Sequence, residues 1–141
     1  MVRIISDTLS SIPVEEARKM KIPLLPQIVI FGEESYRDDT EIDSATFIER
    51  LKKSNVLPKT TAPYPHLYQP ILEDLNKSGD EILIICPTSK MSGTFSRAIV
   101  AAQEFPDGKI TVLDTPLLGA GLGTLVRCAL QWAESGLNAK D

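Results

Sequence analysis

The sequence has little of what metal sites, disulfides or membrane spans require. Its 141 residues include two cysteines, Cys86 and Cys128, and one histidine, His66. The cysteines stand far apart in apolar or helical segments, so we expect two buried thiols in the reducing cytoplasm rather than a disulfide or a zinc site. No apolar run approaches the roughly 18 residues of a membrane span, and the N-terminus lacks the order of a signal peptide. These absences predict a soluble cytoplasmic protein without metal or cofactor.

The charge balance excludes a further class of function. Fifteen Lys and Arg residues stand against 19 Asp and Glu residues, which gives a formal net charge of -4. The charges are scattered through the chain rather than grouped in tails. With no basic excess, nucleic acid is not an expected partner. A chain of this length can bury a core without disulfides, so we predict a single domain over residues 1–141.

Strand and helix patterns alternate along the chain. Apolar runs predict the main strands, at 2–6, 22–32, 81–87 and 109–114, and helical patterns follow them, at 10–21, 42–54, 65–77, 95–105 and 121–136. Parallel neighbours need crossovers, which helices supply, so this order predicts a three-layer α/β/α sandwich around a mainly parallel sheet of about four strands.

Turn and cap signals refine this prediction. A turn at residues 32–34 predicts a small hairpin. The segment NVLPKTTAPYP, residues 55–65, holds three prolines without a helical or strand period and is predicted as loop. Ser10 or Ser11 is expected to cap the first helix, and Asp43 the second. The acidic stretch YRDDTE is interpreted as a solvated turn rather than a magnesium site.

Hydroxyl-bearing residues follow the predicted strands. Strand ends carry SDTLSS, PTSKMSGT and DTPLLGAGLG, and the proline-rich loop adds Thr60 and Thr61. In open α/β sheets ligands bind at the carboxyl ends of the strands, and this edge offers hydroxyls and helix-start amides with few fixed charges. It suits an anion held by neutral donors, with Ser92, Gly93 and Thr94 best placed. Alternatively, Ser92 only caps the following helix, and Thr60 and Thr61 only satisfy loop amides.

Catalytic interpretations rest on the same serine. Ser92, His66 and Asp114 have the residue types of a nucleophilic triad, but no G-x-S-x-G turn surrounds the serine. The sequence GAGLG at 119–123 lacks the dinucleotide-binding spacing, and no phosphate-binding P-loop motif occurs. A small α/β hydrolase or phosphoryl-transfer enzyme that uses Ser92 remains the alternative from another class, and a purely structural domain is a third.

Taken together, the motifs resemble the DegV family. The matching stretches, in family order, are Ile5-Ser6-Asp7-Thr8, Tyr36-Arg37-Asp38, Pro58-Lys59-Thr60-Thr61-Ala62-Pro63, Thr88-Ser89-Lys90-Met91-Ser92-Gly93-Thr94, and Asp114-Thr115 through Gly121-Leu122-Gly123. They span nearly the whole chain. The resemblance implies a bacterial fatty-acid-binding protein, similar to the binding subunit of fatty-acid kinase, which presents a fatty acid for phosphorylation and is not itself the catalyst.

The resemblance also implies site residues and partners. In the family a loop threonine and the serine of S-G-T bond the ligand carboxylate, which corresponds here to Thr60 and Ser92, with Thr61 next. The expected partners are a long-chain fatty acid, its acyl chain in an apolar tunnel, and the kinase's catalytic subunit. The family is two-lobed and about twice this length, so we expect the first lobe alone. A transient membrane contact, and a homo-oligomer that covers the face left by the missing lobe, are further expectations.

Overall fold

The computed structural model describes all residues, 1–141, which form seven strands and five helices. In chain order they are β1 (Val2–Asp7), a 3₁₀ turn (Thr8–Ser10), α1 (Val14–Lys19), β2 (Leu24–Leu25), β3 (Ile28–Phe31), β4 (Glu34–Arg37), α2 (Ser44–Lys53), β5 (Lys59–Thr61), α3 (Pro65–Lys77), β6 (Glu81–Cys86), α4 (Thr94–Gln103), β7 (Ile110–Asp114) and α5 (Ala120–Glu134). None of the helices has the length and apolar character that crossing a bilayer requires.

Four parallel strands form the central sheet, in the order β2-β1-β6-β7. Successive residues of β1 and β6 point to opposite faces, as the pleat requires. On one face Ile4 and Ile85 pack with α1 and α5, and on the other Ile5 and Ile84 pack with α3 and α4. The predicted three-layer α/β/α sandwich with a four-stranded parallel sheet is therefore confirmed.

A second, antiparallel sheet has the order β4-β3-β5. The predicted hairpin is confirmed: β3 and β4 meet at Gly32, whose φ of 62° is open to glycine. The loop prediction for 55–65 is wrong at Lys59–Thr61, which forms β5 beside β3. Pairing with β3 overrides the local composition. Pro58 and Pro63 lie outside the three paired residues and remove no ladder donor from them.

The apolar run at 22–32 is two strands, not the single strand that its composition predicts. Leu24 and Leu25 pair with β1, whereas Ile28 begins β3 in the other sheet. The break falls at Pro26 and Gln27, where proline has no N–H to continue a ladder. The two-residue β2 lies at the edge of the parallel sheet, the position where the prolines on either side of it are tolerated.

Of the two helix-cap predictions, the one for α2 is right and the one for α1 is wrong. Asp43 caps α2 as predicted, because its Oδ1 accepts the Thr46 amide at 2.7 Å. The prediction for α1 is wrong: the residue before α1 is Pro13, and no side chain caps the helix. Ser11 instead ends the 3₁₀ turn with a φ of 55°, and Ser10 is fully buried.

The two cysteines are both free thiols, but only one is fully enclosed. Cys86 is buried at the end of β6, as predicted. Cys128 lies on α5 and is only partly buried, so the prediction of two buried thiols is wrong for this residue. Cys86 lies in the central sheet, which both helix layers cover, whereas Cys128 lies on an outer helix.

Candidate functional site

A cavity of about 270 Å³ lies where the two sheets meet, and half of its ten lining residues are hydrophobic. We call it the polar cavity because hydroxyl, amide and carboxyl side chains make up most of the other half. Three of the residues singled out in the sequence line it together: Thr60, Ser92 and Gly93. The remaining lining residues are Leu9, Gln27, Val29, Asp38, Ala62, Met91 and Leu118. The cavity thus lies at the carboxyl end of β1 and β6, where parallel α/β sheets bind ligands.

Neighbouring threonines on β5 have different surroundings. Thr60 is paired with Val29 of β3 and lines the cavity. Thr61 does not line it, because successive side chains of a strand point to opposite faces. The Thr61 hydroxyl instead accepts a hydrogen bond from the Arg97 guanidinium at 3.1 Å. The structure therefore brings Thr60 and not Thr61 together with Ser92, and the ligand-binding role of all three stays a prediction.

Ser92 stands one residue before the N-cap of α4, which is Gly93. Its Oγ accepts the Thr94 amide at 3.2 Å and lies 2.9 Å from Thr94 Oγ1. The alternative that Ser92 is the helix cap is thus wrong in position, although the hydroxyl does satisfy one amide of the first turn. Thr94 itself is 1% exposed and does not line the cavity. Thr94 is thus hydrogen-bonded to Ser92 on the side away from the cavity.

Asp7 is the centre of a buried polar network that the sequence did not reveal. It ends β1 and is 1% exposed. Its Oδ1 accepts the Leu9 amide at 3.2 Å, and its Oδ2 accepts the Thr94 hydroxyl and the Gln27 amide group, both at 2.8 Å. Burial raises the pKa of Asp7 to about 6, although these hydrogen bonds act in the opposite direction.

Gln27 joins this network to the cavity. It is 5% exposed and stands at the break between β2 and β3. Its side-chain amide donates to Asp7 and lies 3.2 Å from Thr94 Oγ1, and the residue also lines the cavity. An isolated polar residue in the apolar run PLLPQIVIF is the signal that could have identified it, since buried polar groups in such runs need partners.

Asp38 brings a second acid to the cavity. Its Oδ2 accepts the Thr8 hydroxyl at 2.7 Å, whereas its Oδ1 is buried without a hydrogen-bond partner. Burial raises the pKa of this carboxyl group. The neighbouring Arg37 does not compensate it, because its guanidinium pairs with Asp39 at 2.8 Å. The interpretation of YRDDTE as a solvated turn is therefore wrong at Asp38.

The cavity lining contains no lysine, arginine or histidine. The expectation of few fixed charges is met for cations, while Asp38 on the wall and Asp7 behind it add acids. Arg97 of α4 donates to Thr61 and lies 4.7 Å from the centre of the Tyr64 ring. Within this chain, the groups that could donate to an anion in this cavity are therefore hydroxyls and amides.

The triad alternative receives no support from the hydrogen bonding. The exposed His66 ring stacks on Tyr64, with centroids 5.7 Å apart. Asp114 accepts the Ser89 amide at 2.9 Å and the Ser89 hydroxyl at 2.5 Å. Ser92 has no hydrogen bond with either residue. No group of three or more metal-ligating side chains occurs in the chain.

A second cavity, mostly apolar and also about 270 Å³, lies between α5 and strands β1, β6 and β7. Trp132, which is half exposed, forms part of its wall. None of the predicted site residues reaches it. Its polar lining residues are Thr111, Asn138, Lys140 and Asp141. Because the residues singled out in the sequence converge on the polar cavity instead, that cavity is the better candidate site.

Fold and site together define an open α/β domain with a hydroxyl-lined cavity at the carboxyl ends of its parallel strands. The chain belongs to the DegV family: the family model described as "Uncharacterised protein, DegV family" matches residues 1–141. The resemblance stated from the motifs is thereby confirmed. Among curated relatives, Protein DegV of Bacillus subtilis is 37% identical over 140 residues, which is 99% of this chain and 50% of the relative.

Solved structures give the same assignment. A DegV family protein from Thermus thermophilus, described as binding fatty acid, matches with a TM-score of 0.89 and 27% identity over 99% of this chain and 49% of that one. DegV from Bacillus subtilis, described as a fatty acid binding protein, matches with a TM-score of 0.85 and 31% identity over 96% and 48%. The chain spans about half the length of the relatives it matches.

Proposed function

We propose that this chain binds a long-chain fatty acid and holds its carboxylate in the polar cavity between Thr60 and Ser92. The observation that carries the proposal is the convergence of these two hydroxyls, from β5 and from the start of α4, on one cavity without a cation. Hydroxyl and amide donors can solvate a carboxylate without a counter-ion. The fatty-acid-binding descriptions of the structural neighbours support the choice of ligand.

The energetics assign most of the affinity to the acyl chain. Burial contributes about 0.8 kcal/mol per CH₂ group, so a long chain yields on the order of 10 kcal/mol before the cost of association. Each hydrogen bond to the carboxylate adds about 1.5–3 kcal/mol and fixes which end of the ligand enters the cavity. The apolar wall here is partial, because Met91 is 75% and Leu118 40% exposed.

An incomplete wall makes weak binding the expectation for this chain by itself. Tight binding would require further apolar surface, either from the remaining half of the length of its relatives or from a second copy. Calorimetric titration with palmitate that shows tight one-to-one binding to the monomeric chain would contradict this expectation. A brief contact with a membrane would be a source of the ligand.

The same geometry suits a binding protein that presents its ligand to a kinase. Hydroxyls hold a carboxylate less firmly than an arginine fork, and they leave its oxygens free to accept a phosphoryl group. In this proposal the catalyst is the partner kinase, and the chain acts in the cytoplasm, where free thiols such as Cys86 and Cys128 persist. Acyl-phosphate formation that depends on both proteins would support it.

Substitutions at the two hydroxyls test the binding site. We expect Ser92→Ala and Thr60→Val each to weaken fatty-acid binding roughly tenfold or more, since each removes one hydrogen bond to a charged group. Thr61→Val is the matched control, because Thr61 does not line the cavity. Solvent extraction and mass spectrometry of co-purified lipid, together with calorimetry, provide the readout. Unchanged retention by a folded Ser92→Ala protein would contradict the site.

The hydrolase alternative makes a different prediction. A serine nucleophile at Ser92 would form a covalent adduct with a serine-directed phosphonate, which intact-mass measurement detects. We expect no adduct, because no histidine or other base hydrogen-bonds Ser92. An adduct that disappears in Ser92→Ala would replace the binding proposal with an enzymatic one.

A further inference from the structure

Thr94 has a single hydroxyl proton and two neighbours that compete for it. Its Oγ1 lies 2.8 Å from Asp7 Oδ2 and 2.9 Å from Ser92 Oγ. Gln27 Nε2, at 3.2 Å, can only donate to this oxygen. The protonation state of Asp7 therefore decides where the Thr94 proton goes, because an ionised carboxylate accepts and a protonated one can donate.

The two states of Asp7 orient Ser92 differently. When Asp7 is ionised, Thr94 donates to it, and the Ser92 hydroxyl is drawn toward the lone pairs of Thr94 Oγ1. When Asp7 carries a proton on Oδ2, it donates to Thr94, and Thr94 donates to Ser92. The Ser92 proton then has no partner within this chain of hydroxyls, and Ser92 lines the cavity. In the first state Ser92 can donate to an incoming anion only by giving up its hydrogen bond to Thr94, whereas in the second state its proton is already free.

The charges around the cavity favour the same state. Asp38 has a buried Oδ1 without a partner, and no cation lines the cavity. A ligand carboxylate would therefore approach two acids, Asp7 and Asp38, in a site of low dielectric. Such like charges repel, and the uptake of one proton by a carboxyl group is the usual relief.

We propose that Asp7 is a positioning residue that takes up a proton from solvent when a carboxylate ligand binds. The added proton reverses the direction of the hydrogen bonds from Asp7 through Thr94 to Ser92, so that Ser92 donates to the ligand. This inference rests on the proposed function, since it requires a carboxylate in the cavity. Burial, which holds the pKa of Asp7 near 6, makes the uptake inexpensive close to neutral pH. Head-group affinity is then coupled to pH through a residue that never touches the ligand.

The groups around Asp7 leave one competitor for the proton. They are Leu25 of β2, the Leu9 amide of the 3₁₀ turn, Gln27, Asp38 after β4, Tyr68 of α3, Cys86 of β6 and Thr94 of α4. Arg97 of α4 is the cation close to Tyr68. Burial raises the pKa of Cys86 to about 12 and that of Tyr68 further upward, so both are neutral. Arg97 is engaged by Thr61 and Tyr64. Only Asp38 can take the proton instead.

A ligand-free titration tests the first half of the inference. The carboxyl carbon resonance of Asp7, followed by NMR in the intact chain, should titrate near pH 6. Asp38→Asn is the control and should leave the Asp7 titration in place with a modest downward shift, because it removes a neighbouring negative charge. A pKa for Asp7 at or below the ordinary value of about 4 would overturn the inference and leave the proposed function intact.

Calorimetry with decanoate, below its micelle concentration, tests the coupling. At pH 7, titrations in two buffers of different ionisation enthalpy should show uptake of about 0.9 proton per ligand, and affinity should fall roughly 50-fold between pH 6 and pH 8. Asp7→Asn, which stays neutral and can still donate to Thr94, should show no uptake and an affinity that does not depend on pH. Asp38→Asn should retain the uptake.

The outcomes separate the two proposals. Uptake that persists in Asp7→Asn and is lost in Asp38→Asn would place the proton on Asp38 and overturn the inference. Binding without uptake in the unaltered chain would also overturn it, while the proposed function would stand. No binding of decanoate at any pH or concentration would reject both. If Asp7→Asn does not fold, the uptake measured in the unaltered chain and its titration still decide the matter.

Discussion

The two sheets of the molecule are held together in different ways. In the parallel sheet, Ile5, Ile82 and Ile84 are at most 1% exposed, and helices pack on both faces. In the antiparallel sheet, α2 contributes no buried residue. Apart from Ile28 and Val29 of β3, which are buried, that sheet is held by surface contacts, such as the Phe31–Phe47 pair and Arg50, which lies over Tyr36 and pairs with Glu34.

The candidate site combines residues of both sheets, although the two sheets differ in burial. The parallel sheet and the helix after it supply the buried support, Asp7 and Thr94, and position Ser92. The antiparallel sheet supplies Thr60, on a three-residue strand. The Ser92 hydroxyl is therefore held by the well-buried parallel sheet and its helix, whereas the Thr60 hydroxyl lies on an exposed strand of the antiparallel sheet. Experiments that affect the two sheets unequally test this division.

The largest expected effect is in the core of the parallel sheet. Leu72 of α3 is fully buried, and Leu72→Ala should lower the free energy of unfolding by about 2–5 kcal/mol. Ile48 of α2 is 48% exposed, so Ile48→Ala should lower it by about 1 kcal/mol or less. Urea denaturation measures both variants. Losses of equal size would show that the two sheets are equally well packed.

The next effect is a dependence of stability on pH. The pKa of Asp7 is raised from 3.8 in the unfolded chain to about 6, so the folded state holds the proton more strongly. This contribution is present below pH 3.8 and is lost as pH rises through 6. Between pH 4.5 and 7.5 the free energy of unfolding should fall by about 2 kcal/mol.

Two variants separate the contributions of Asp7 and Asp38 to this pH dependence of stability. Asp7→Asn should remove most of the fall between pH 4.5 and 7.5. Asp38→Asn should remove a smaller part, because burial raises its pKa in the same direction. Thermal denaturation at a series of pH values is sufficient for the comparison. Stability that rises through this interval in the unaltered chain would contradict a raised pKa for the buried Asp7.

A smaller effect is expected where α5 approaches the 3₁₀ turn next to Asp7. A Cβ atom at Gly123 would lie 2.3 Å from the backbone oxygen of Ser10, so Gly123→Ala should destabilise by about 1–2 kcal/mol despite its better helix propensity. At Gly121 the nearest atom, on Leu117, would be 3.6 Å away. Gly121→Ala should therefore stabilise slightly. Equal behaviour of the two variants would contradict the close packing of α5.

The smallest effect on global stability is expected for Arg50→Ala in the antiparallel sheet. Arg50 contacts Phe31 and Tyr36 and pairs with Glu34, but it is a surface residue, where ion pairs contribute little. We expect faster amide hydrogen exchange in β4, with β6 unchanged. Lys53→Ala, on the same helix, is the control. Faster exchange in β6 as well would mean that the two sheets unfold as one unit.

The sequence predicted the parallel sheet better than the antiparallel one, for a physical reason. A run such as EILIIC is apolar because both faces are covered, so the run itself reports the strand. β5 has no such signal: Lys59 and Thr60 are exposed, and the strand exists only because β3 lies beside it. Pairing between distant segments leaves no local pattern.

The site followed the same division. Ser92 could be singled out because ligands of α/β sheets bind at the carboxyl ends of the strands, where its hydroxyl follows β6. Thr60 could be singled out because the proline-rich segment resembles a motif of the DegV family. Asp7 and Asp38 could not be assigned, because an acid after a strand or in a turn is ordinarily solvated. Their burial results from the way the two sheets meet. Short-range sequence patterns carry no information about that contact.

The split run at residues 24–31 has one more consequence. Its first two residues are fixed on β1 and its last four between β4 and β5, with only Pro26 and Gln27 in between. This connection has two residues, and proline fixes one of its backbone torsions. We therefore expect that the two sheets cannot move apart here as rigid bodies about a hinge. The opening of the polar cavity should then accept head groups of one size. Its width would change only through rotation of the lining side chains.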